Sequence, residues 1–121
     1  MEVLRLYADE AGESRFDTYE VSMQLKDFAP PADPLYVSEP EAAGRFALIR
    51  LPAGWSGACH PTLRRQILFC LRGEMRVTAS TGDVRNVAAG EAWMMADTTG
   101  KGHTTEVVSE GPVDAVIVQL E

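Results

Sequence analysis

Two histidines, His60 and His103, are the only ones in the chain and the side chains best suited to proton transfer. Histidine titrates near neutral pH, so it serves as a general acid or base. His103 follows Gly100-Lys101-Gly102, whose glycines permit positive φ angles and a close backbone approach. We expect this loop to place His103 at the mouth of a pocket, and we predict His60 and His103 as catalytic residues. An ordinary hydrogen-bonding role is the alternative for each.

Further polar residues follow His60 at even spacing. Thr62, Arg64 and Gln66 share its parity, so on a strand they would face one side of a sheet. Buried polar groups need partners or a ligand, and the guanidinium of Arg64 would suit a carboxylate or phosphate. We predict Thr62, Arg64 and Gln66 as ligand-binding residues. The alternatives are a buried hydrogen-bond network without a ligand and, for Arg64, a surface ion pair.

Asp97 precedes the glycine loop and has two possible roles. Its carboxylate could orient His60 or His103, as an acid does for the histidine of a catalytic triad. The sequence Asp97-Thr98-Thr99-Gly100 is also typical of a turn in which the aspartate caps its own backbone. We include Asp97 among the predicted ligand-binding residues and leave both roles open.

The elements that must position these residues are predicted to be β-strands almost throughout. Tyr19, Val21, Met23 and Leu25 alternate with polar residues, and no long window shows helical periodicity. Short apolar runs bounded by glycines are typical of a sandwich or closed barrel. These runs cover residues 46–51, 66–71, 74–79, 83–88, 92–96, 104–109 and 113–120.

The chain length predicts a single domain, residues 1–121. Within it we assign residues 1–45 to N-terminal strands and a proline-rich crossing, and residues 46–121 to the barrel core. The segment 27–44 holds four prolines, which resist helices and central strands, so we expect an irregular crossing there.

The charge and composition of the chain argue against some classes of binding partner. The formal net charge of −7 argues against nucleic acid and anionic membranes as partners. No apolar run approaches the roughly 20 residues of a membrane helix, and the N-terminus lacks the pattern of a signal peptide. We therefore expect a cytoplasmic protein. Cys59 and Cys70 lack CxxC spacing and are expected to remain thiols.

Glycines and polar residues also form two frames that resemble the paired motifs of the cupin family. In the first frame, Gly54 precedes His60 by the family gap, Gln66 stands where a glutamate belongs, and Gly73 closes it. In the second frame, Gly82 and Gly90 hold the glycine positions.

The strings HPTLRRQ (60–66) and DTTGKGH (97–103) are similar to a branch of small bacterial single-domain cupins along the whole chain. The chain departs from that branch at Cys59, Leu63 and Trp93.

The resemblance implies an all-β fold, a double-stranded β-helix or jelly-roll barrel. It also implies that the four metal-ligand positions hold His60, Thr62, Gln66 and Trp93, a poor donor set. We predict no cofactor; if a divalent metal binds, we expect His60, Gln66 and His103 as ligands, or Asp97 with both histidines. Because Trp93 occupies a ligand-facing position, its indole is predicted to form the floor of a pocket for a flat apolar ligand.

Single-domain cupins often pair such N-terminal segments between protomers. The resemblance therefore implies a homodimer, with the N-terminal strand and the proline-rich crossing lying outside the barrel and covering strand edges.

Three functions are compatible with these residues. The first is a small-molecule-binding cupin with a degenerate metal site, acting as a metal-independent isomerase, cyclase or lyase on a carbonyl or carboxylate compound. The second is a non-catalytic module that binds or senses a metabolite. The third is a metal-dependent, dioxygenase-like cupin with non-standard ligands. Whether the chain is an enzyme is left open at this point, because fold alone does not decide activity.

Overall fold

A computed structural model describes all residues, Met1–Glu121, and its regular elements are all β-strands. The all-β prediction is confirmed. The strands are β1 (Glu2–Ala8), β2 (Ser14–Glu20), β3 (Met23–Lys26), β4 (Leu35–Ser38), β5 (Ala43–Leu51), β6 (Ser56–His60), β7 (Gln66–Arg72), β8 (Glu74–Ala79), β9 (Val84–Ala88), β10 (Ala92–Ala96), β11 (His103–Val107) and β12 (Val113–Leu120).

Two larger sheets and one hairpin make up the architecture. The six-stranded sheet has the order β2-β1-β10-β7-β12-β5, and the four-stranded sheet has the order β6-β11-β8-β9. Buried side chains from both sheets form the main hydrophobic core, and Val3, Met94 and Leu120 of the six-stranded sheet form a second, smaller cluster. In the main core, the largest fully buried apolar members are Trp93 and Leu6 from the first sheet and Met75 from the second. The core therefore lies between the two sheets, as in a sandwich or flattened barrel.

Several predicted strands match the structure residue for residue. β8, β10 and β12 have the predicted bounds, because each carries buried apolar residues between glycine turns or loops. β6 was not predicted. Its sequence, Ser-Gly-Ala-Cys-His, lacks the branched and aromatic residues that favour strands, and its backbone is ordered instead by pairing with β11.

The alternation over residues 19–25 was predicted as one face, but the structure divides it. β2 ends at Glu20, and β3 belongs to a separate hairpin with β4. The segment 27–44 is not wholly irregular either, because β4 lies within it. Pro34 and Pro40 flank β4 without entering it, so each β4 residue keeps its backbone donor.

The expectation that the N-terminal strand lies outside the barrel does not hold for β1. This strand pairs in parallel with β10, and its Leu6 is fully buried in the core. The β3–β4 hairpin does stand apart, since neither strand joins another sheet. The structure contains no helix that could span a membrane.

Candidate functional site

A small cavity between the two sheets, here called the site cavity, has a volume of about 140 Å³. It holds both histidines, and eight of its twelve lining residues are hydrophobic. No Asp, Glu, Lys or Arg side chain lines it. The lining residues are Ile49, Leu51, Trp55, His60, Gln66, Leu68, Met75, Trp93, Met95, His103, Thr105 and Ile117.

A larger groove of about 600 Å³ lies beside β1 and is lined by Met1, Glu2, Thr18 and Arg85, among others. It contains neither histidine, and its ionisable side chains are Glu2, Arg85 and Glu91. Size alone therefore does not identify the chemically equipped pocket, and the site cavity is the candidate.

The period-two geometry of the strands brings the lining residues together. On β7, Gln66 is followed at the second position by Leu68, and on β11, His103 is followed by Thr105. Residues two apart face the same side of a strand. The sequence prediction missed Thr105, although its spacing from His103 was the signal that could have found it.

Asp97 is fully buried and connects Thr62 to His103. The Thr62 hydroxyl donates to Asp97 Oδ1 at 2.8 Å, and Asp97 Oδ2 lies 2.6 Å from His103 Nδ1. The Thr62 backbone N–H also donates to the Asp97 carbonyl oxygen at 2.9 Å. Asp97 makes no side-chain hydrogen bond to its own turn, so the interpretation as a self-capping turn is wrong and the orienting role fits the contacts.

This contact orients the ring of His103. A carboxylate accepts hydrogen bonds, so Nδ1 carries a proton, and in the neutral imidazole Nε2 keeps its lone pair. His103 is 2% exposed and lines the site cavity, and its ring bonds the protein through Nδ1 alone. A basic nitrogen is therefore held in a largely apolar enclosure by a buried acid.

His60 lies beside His103 but is exposed. The ring centroids of the two histidines are 5.4 Å apart, and their residues are paired between β6 and β11. His60 Nδ1 lies 2.7 Å from the Pro61 carbonyl oxygen, which only accepts, so Nδ1 donates and Nε2 is free. One histidine is thus enclosed while the other reaches solvent.

Gly102 makes this close pairing of the histidines possible. Its φ is +82°, and a Cβ atom at this position would lie 2.2 Å from the carbonyl carbon of His60. Such a distance is far below van der Waals contact, so only glycine fits between β6 and the start of β11. The predicted role of the glycine loop in placing His103 therefore has a steric basis.

The loop before His103 is held by the β1–β2 connection and the first residue of β2. Ser14 Oγ donates to the Gly102 carbonyl at 2.7 Å, and the Lys101 ammonium bonds the Glu13 carboxylate. The pKa of Glu13 lies below its ordinary value because of hydrogen bonds from Lys101 and then Ser80. The Glu13 carboxylate raises the pKa of Lys101 in turn.

Trp93 is 1% exposed and lines the site cavity. Its ring packs edge-on against His103, with centroids 5.4 Å apart and planes at 80°. The indole Nε1 is buried and has no hydrogen-bond partner. Leaving a buried donor unpaired costs about 1–3 kcal/mol, a cost that an acceptor brought within hydrogen-bond distance would remove.

The remaining predicted ligand residues divide between the cavity and its surroundings. Gln66 lines the cavity, where its amide nitrogen makes a weak contact to the Met95 sulfur at 3.3 Å. Thr62 is buried behind it, bonded to Asp97, and does not line the cavity. Arg64 is exposed in the loop before β7, outside the lining, and forms no ion pair, whereas Arg65 pairs with Glu41.

Three of the four residues at the family's metal-ligand positions are poor ligands, and the predicted alternative set of His60, Gln66 and His103, which all line the cavity, has only two strong donors. Thr62 donates to Asp97, Trp93 has no donor lone pair for a cation, and Gln66 offers only a neutral amide. No group of three or more His, Cys, Asp or Glu side chains is arranged to hold a metal. In the other predicted set, Asp97 with both histidines, the aspartate carboxylate is engaged with Thr62 and His103 Nδ1.

No protein-family model matches the sequence, and no curated protein matches it. Solved structures do match. A cupin 2 conserved barrel domain protein from Salinispora arenicola has a TM-score of 0.53 at 13% identity, covering 84% of this chain and 78% of that chain. A predicted oxalate decarboxylase from Thermotoga maritima has a TM-score of 0.51 at 18% identity, covering 84% and 95%.

A sugar phosphate isomerase of the cupin superfamily from Silicibacter pomeroyi has a TM-score of 0.51 at 15% identity. The match covers 63% of this chain and 49% of that chain, so it spans about half of the isomerase. Identities this low show a shared fold and carry no activity across. The chain therefore has the cupin fold, the double-stranded β-helix of jelly-roll type that its sequence motifs predicted.

Proposed function

We propose that the chain binds a small carbonyl or carboxylate compound in the site cavity and that His103 exchanges a proton with it. The observation on which this rests is the buried contact of 2.6 Å between His103 Nδ1 and Asp97 Oδ2. A histidine oriented by a buried acid is the arrangement that general acid–base catalysis needs.

The chemistry follows from the tautomer. With its Nδ1 proton directed at Asp97, His103 presents the Nε2 lone pair to the cavity and can remove a proton from a carbon next to a carbonyl group. The Asp97 carboxylate then stabilises the imidazolium that forms. The mainly apolar lining offers few partners for water, and a ligand that displaces water from the cavity would strengthen these electrostatic interactions.

His60 supplies a second proton-transfer group. Its ring lies 5.4 Å from that of His103, on the exposed side of the cavity. Two such groups around one ligand suit reactions that remove a proton at one atom and return it at another, such as isomerisation, cyclisation or decarboxylation with protonation of the product. We assign the first proton transfer to His103 and exchange with solvent to His60.

Solvent deuterium exchange tests this proposal without knowledge of the natural substrate. Small ketones and carboxylic acids with a C–H next to the carbonyl would be incubated with the protein in D₂O, and deuterium uptake followed by NMR. His103→Gln should lower the exchange rate by about 10²-fold or more, the usual contribution of a positioned general base. Arg64→Gln, outside the lining, is the matched control and should keep the wild-type rate.

Binding and thermal unfolding of each variant must be measured beside the exchange rate. Exchange that His103→Gln leaves unchanged would contradict the proposal. Saturable binding with no exchange by the wild-type protein would instead support a non-catalytic binding module, for which the cavity is sufficient.

A further inference from the structure

We infer that the site cavity selects an uncharged, mainly apolar compound about the size of benzene that carries one hydrogen-bond acceptor. This inference deepens the proposed function and rests on it for the cavity being the ligand site. It narrows the ligand to neutral carbonyl compounds and sets carboxylates and phosphates aside. Three features of the lining support it: volume, charge and one unpaired donor.

The volume limits the size. A cavity of about 140 Å³ is close to the roughly 150 Å³ of an engineered apolar cavity that binds benzene. A ligand of about six to eight non-hydrogen atoms therefore matches the cavity in volume. A sugar or an extended phosphate ester exceeds this volume and would extend beyond the lining residues.

Charge limits the ligand class. The lining holds no Lys or Arg, and Arg64, the guanidinium two residues from the lining residue Gln66, is exposed outside the lining. The charged group in contact with the lining is the Asp97 carboxylate behind His103, which repels an anion. Burial of an ion without a counter-charge is costly, so a carboxylate would bind poorly.

The unpaired donor defines the polar end of the ligand. Trp93 Nε1 is buried and without an acceptor, while the Gln66 amide makes only a weak contact to sulfur. An acceptor oxygen on the ligand would accept a hydrogen bond from the indole N–H and remove the free-energy cost of leaving that donor unpaired. A carbonyl group has that acceptor and also acidifies the neighbouring C–H, as the proposed proton transfer requires.

A matched set of three compounds tests the inference: cyclohexanone, methylcyclohexane and cyclohexanecarboxylate. They share a six-membered ring and differ in carrying a neutral acceptor, no acceptor or a charge. Binding would be followed by the indole N–H signals in ¹H–¹⁵N spectra, with the Trp93 signal identified from its absence in Trp93→Phe. We expect cyclohexanone to give a saturable downfield shift of the Trp93 indole proton.

We expect methylcyclohexane and the carboxylate each to bind at least about 5- to 10-fold more weakly, the value of one hydrogen bond or more. Trp93→Phe should weaken cyclohexanone binding by about the same factor. The inference is overturned if the carboxylate binds as tightly as the ketone, if the indole signal does not respond, or if none of the three compounds binds.

Different results would contradict proton transfer by His103 and selection of a neutral ligand. Cyclohexanone that binds as expected but exchanges no deuterium through His103 would sustain the inference and contradict the catalytic proposal. Deuterium exchange into the carboxylate that depends on His103 would sustain the catalytic proposal and overturn the inference.

Discussion

Two regions outside the central strands differ in the contacts that hold them in place. The loop end, residues 9–14 together with 97–102, is connected by hydrogen bonds between loops that are distant in sequence. The hairpin arm, residues 23–38, is bonded mainly to itself, and neither of its strands joins another sheet. Its Leu25 and Tyr36 are 59% and 69% exposed, whereas Asp97 at the loop end and the adjoining His103 are buried.

The loop end is therefore held by close contacts between distant parts of the chain, whereas the arm is held mainly by the pairing of its own two strands. At the loop end, the Lys101 N–H donates to the Gly12 carbonyl, and a Cβ on Gly100 would lie 2.3 Å from that same oxygen. Because the two loops pack this closely, a single added carbon atom would displace the backbone. On the arm, the apolar side chains remain largely exposed, so burying them against a partner would release further free energy.

The largest expected effect comes from Gly102→Ala at the loop end. The new Cβ would meet the His60 backbone at 2.2 Å, and backbone cannot move aside cheaply. We expect a loss of about 3 kcal/mol or more in the free energy of unfolding, measured by urea titration, because the positive φ and the clash both oppose the change.

Gly82→Ala is the matched control for this change. Gly82 also has a positive φ, +92°, but a Cβ atom at this position would have no other atom within 4 Å. This variant should lose only about 1 kcal/mol, the cost of the backbone conformation. Equal losses in the two variants would show that close packing at the loop end contributes nothing beyond φ.

Asp97 is expected to give the next largest effect. Asp97→Ala leaves the Thr62 hydroxyl and the His103 Nδ1–H buried without their acceptor. Two such groups should cost about 2–4 kcal/mol of unfolding free energy. The measurement is again chemical denaturation at neutral pH.

Asp97→Asn separates stability from proton transfer. Its amide oxygen can still accept from Thr62, while its NH₂ group faces His103 Nδ1 and forces the proton to Nε2. We expect stability close to that of the wild type, an altered histidine tautomer in ¹⁵N spectra and loss of any deuterium exchange. An unchanged tautomer would contradict the orienting role of Asp97.

The sequence predicted the residues of this site better than their contacts. His60, Gln66, Trp93 and His103 were predicted, and all four line one cavity. The bond from Thr62 to Asp97 joins residues 35 positions apart, and no local pattern encodes it. Its existence depends on how two loops meet after the sheets have formed.

The fold shows the same division. β8, β10 and β12 were predicted within their observed bounds because each is a short apolar run that turn residues delimit. The alternation through Met23 and Leu25 anticipated β3 only as a continuation of β2, and β4 was missed because it is four residues long and mostly exposed, inside a proline-rich segment. Arg64 was given a pocket-facing parity that fails because residues 61–65 are not in a strand.

The hairpin arm gives the third prediction, self-association. Leu25 and Tyr36 are a cross-strand pair, exposed on the same face of the arm. The same chain exposes a second apolar area on its six-stranded sheet, where Phe46 and Leu48 are each 73% exposed. Mutual burial of arm and sheet between two copies would remove both areas from water, so we expect a homodimer.

Light scattering coupled to size-exclusion chromatography would show the dimer as a mass twice that of the monomer. The double variant Leu25→Ser/Tyr36→Ser should weaken dimerisation by about 10-fold or more, since each buried apolar side chain contributes about 1.5–3 kcal/mol. Gln24→Ser, on the opposite face of β3, is the control. A wild-type protein that stays monomeric at high concentration would contradict the prediction.

The smallest expected effect is the pH dependence of the Glu13–Lys101 pair, which connects the two loops of the loop end. The pKa of Glu13 is lowered in the folded protein because Lys101 and Ser80 bond its carboxylate. A lowered carboxyl pKa means that the pair stabilises the fold above the unfolded pKa and that this stabilisation is lost as the pH falls through the folded pKa. The thermal midpoint of the wild-type protein should therefore be higher than that of Glu13→Gln at pH 7. This difference in midpoint should disappear between about pH 5 and pH 3.

The salt dependence of this difference in thermal midpoint is a second test of the ion pair. The pair is solvent-accessible, so NaCl at about 1 M should narrow the difference at pH 7, whereas it should leave the difference caused by the buried Asp97→Ala change almost intact. Arg15 pairs with Asp9 near the same loops, so Arg15→Gln removes a second surface ion pair, and its effect should narrow with salt in the same way. If the difference in thermal midpoint between the wild type and Glu13→Gln did not change with pH or salt, Glu13 would act through packing and not through its charge. The loop end would then be held by the glycine contacts and the buried hydrogen bonds alone.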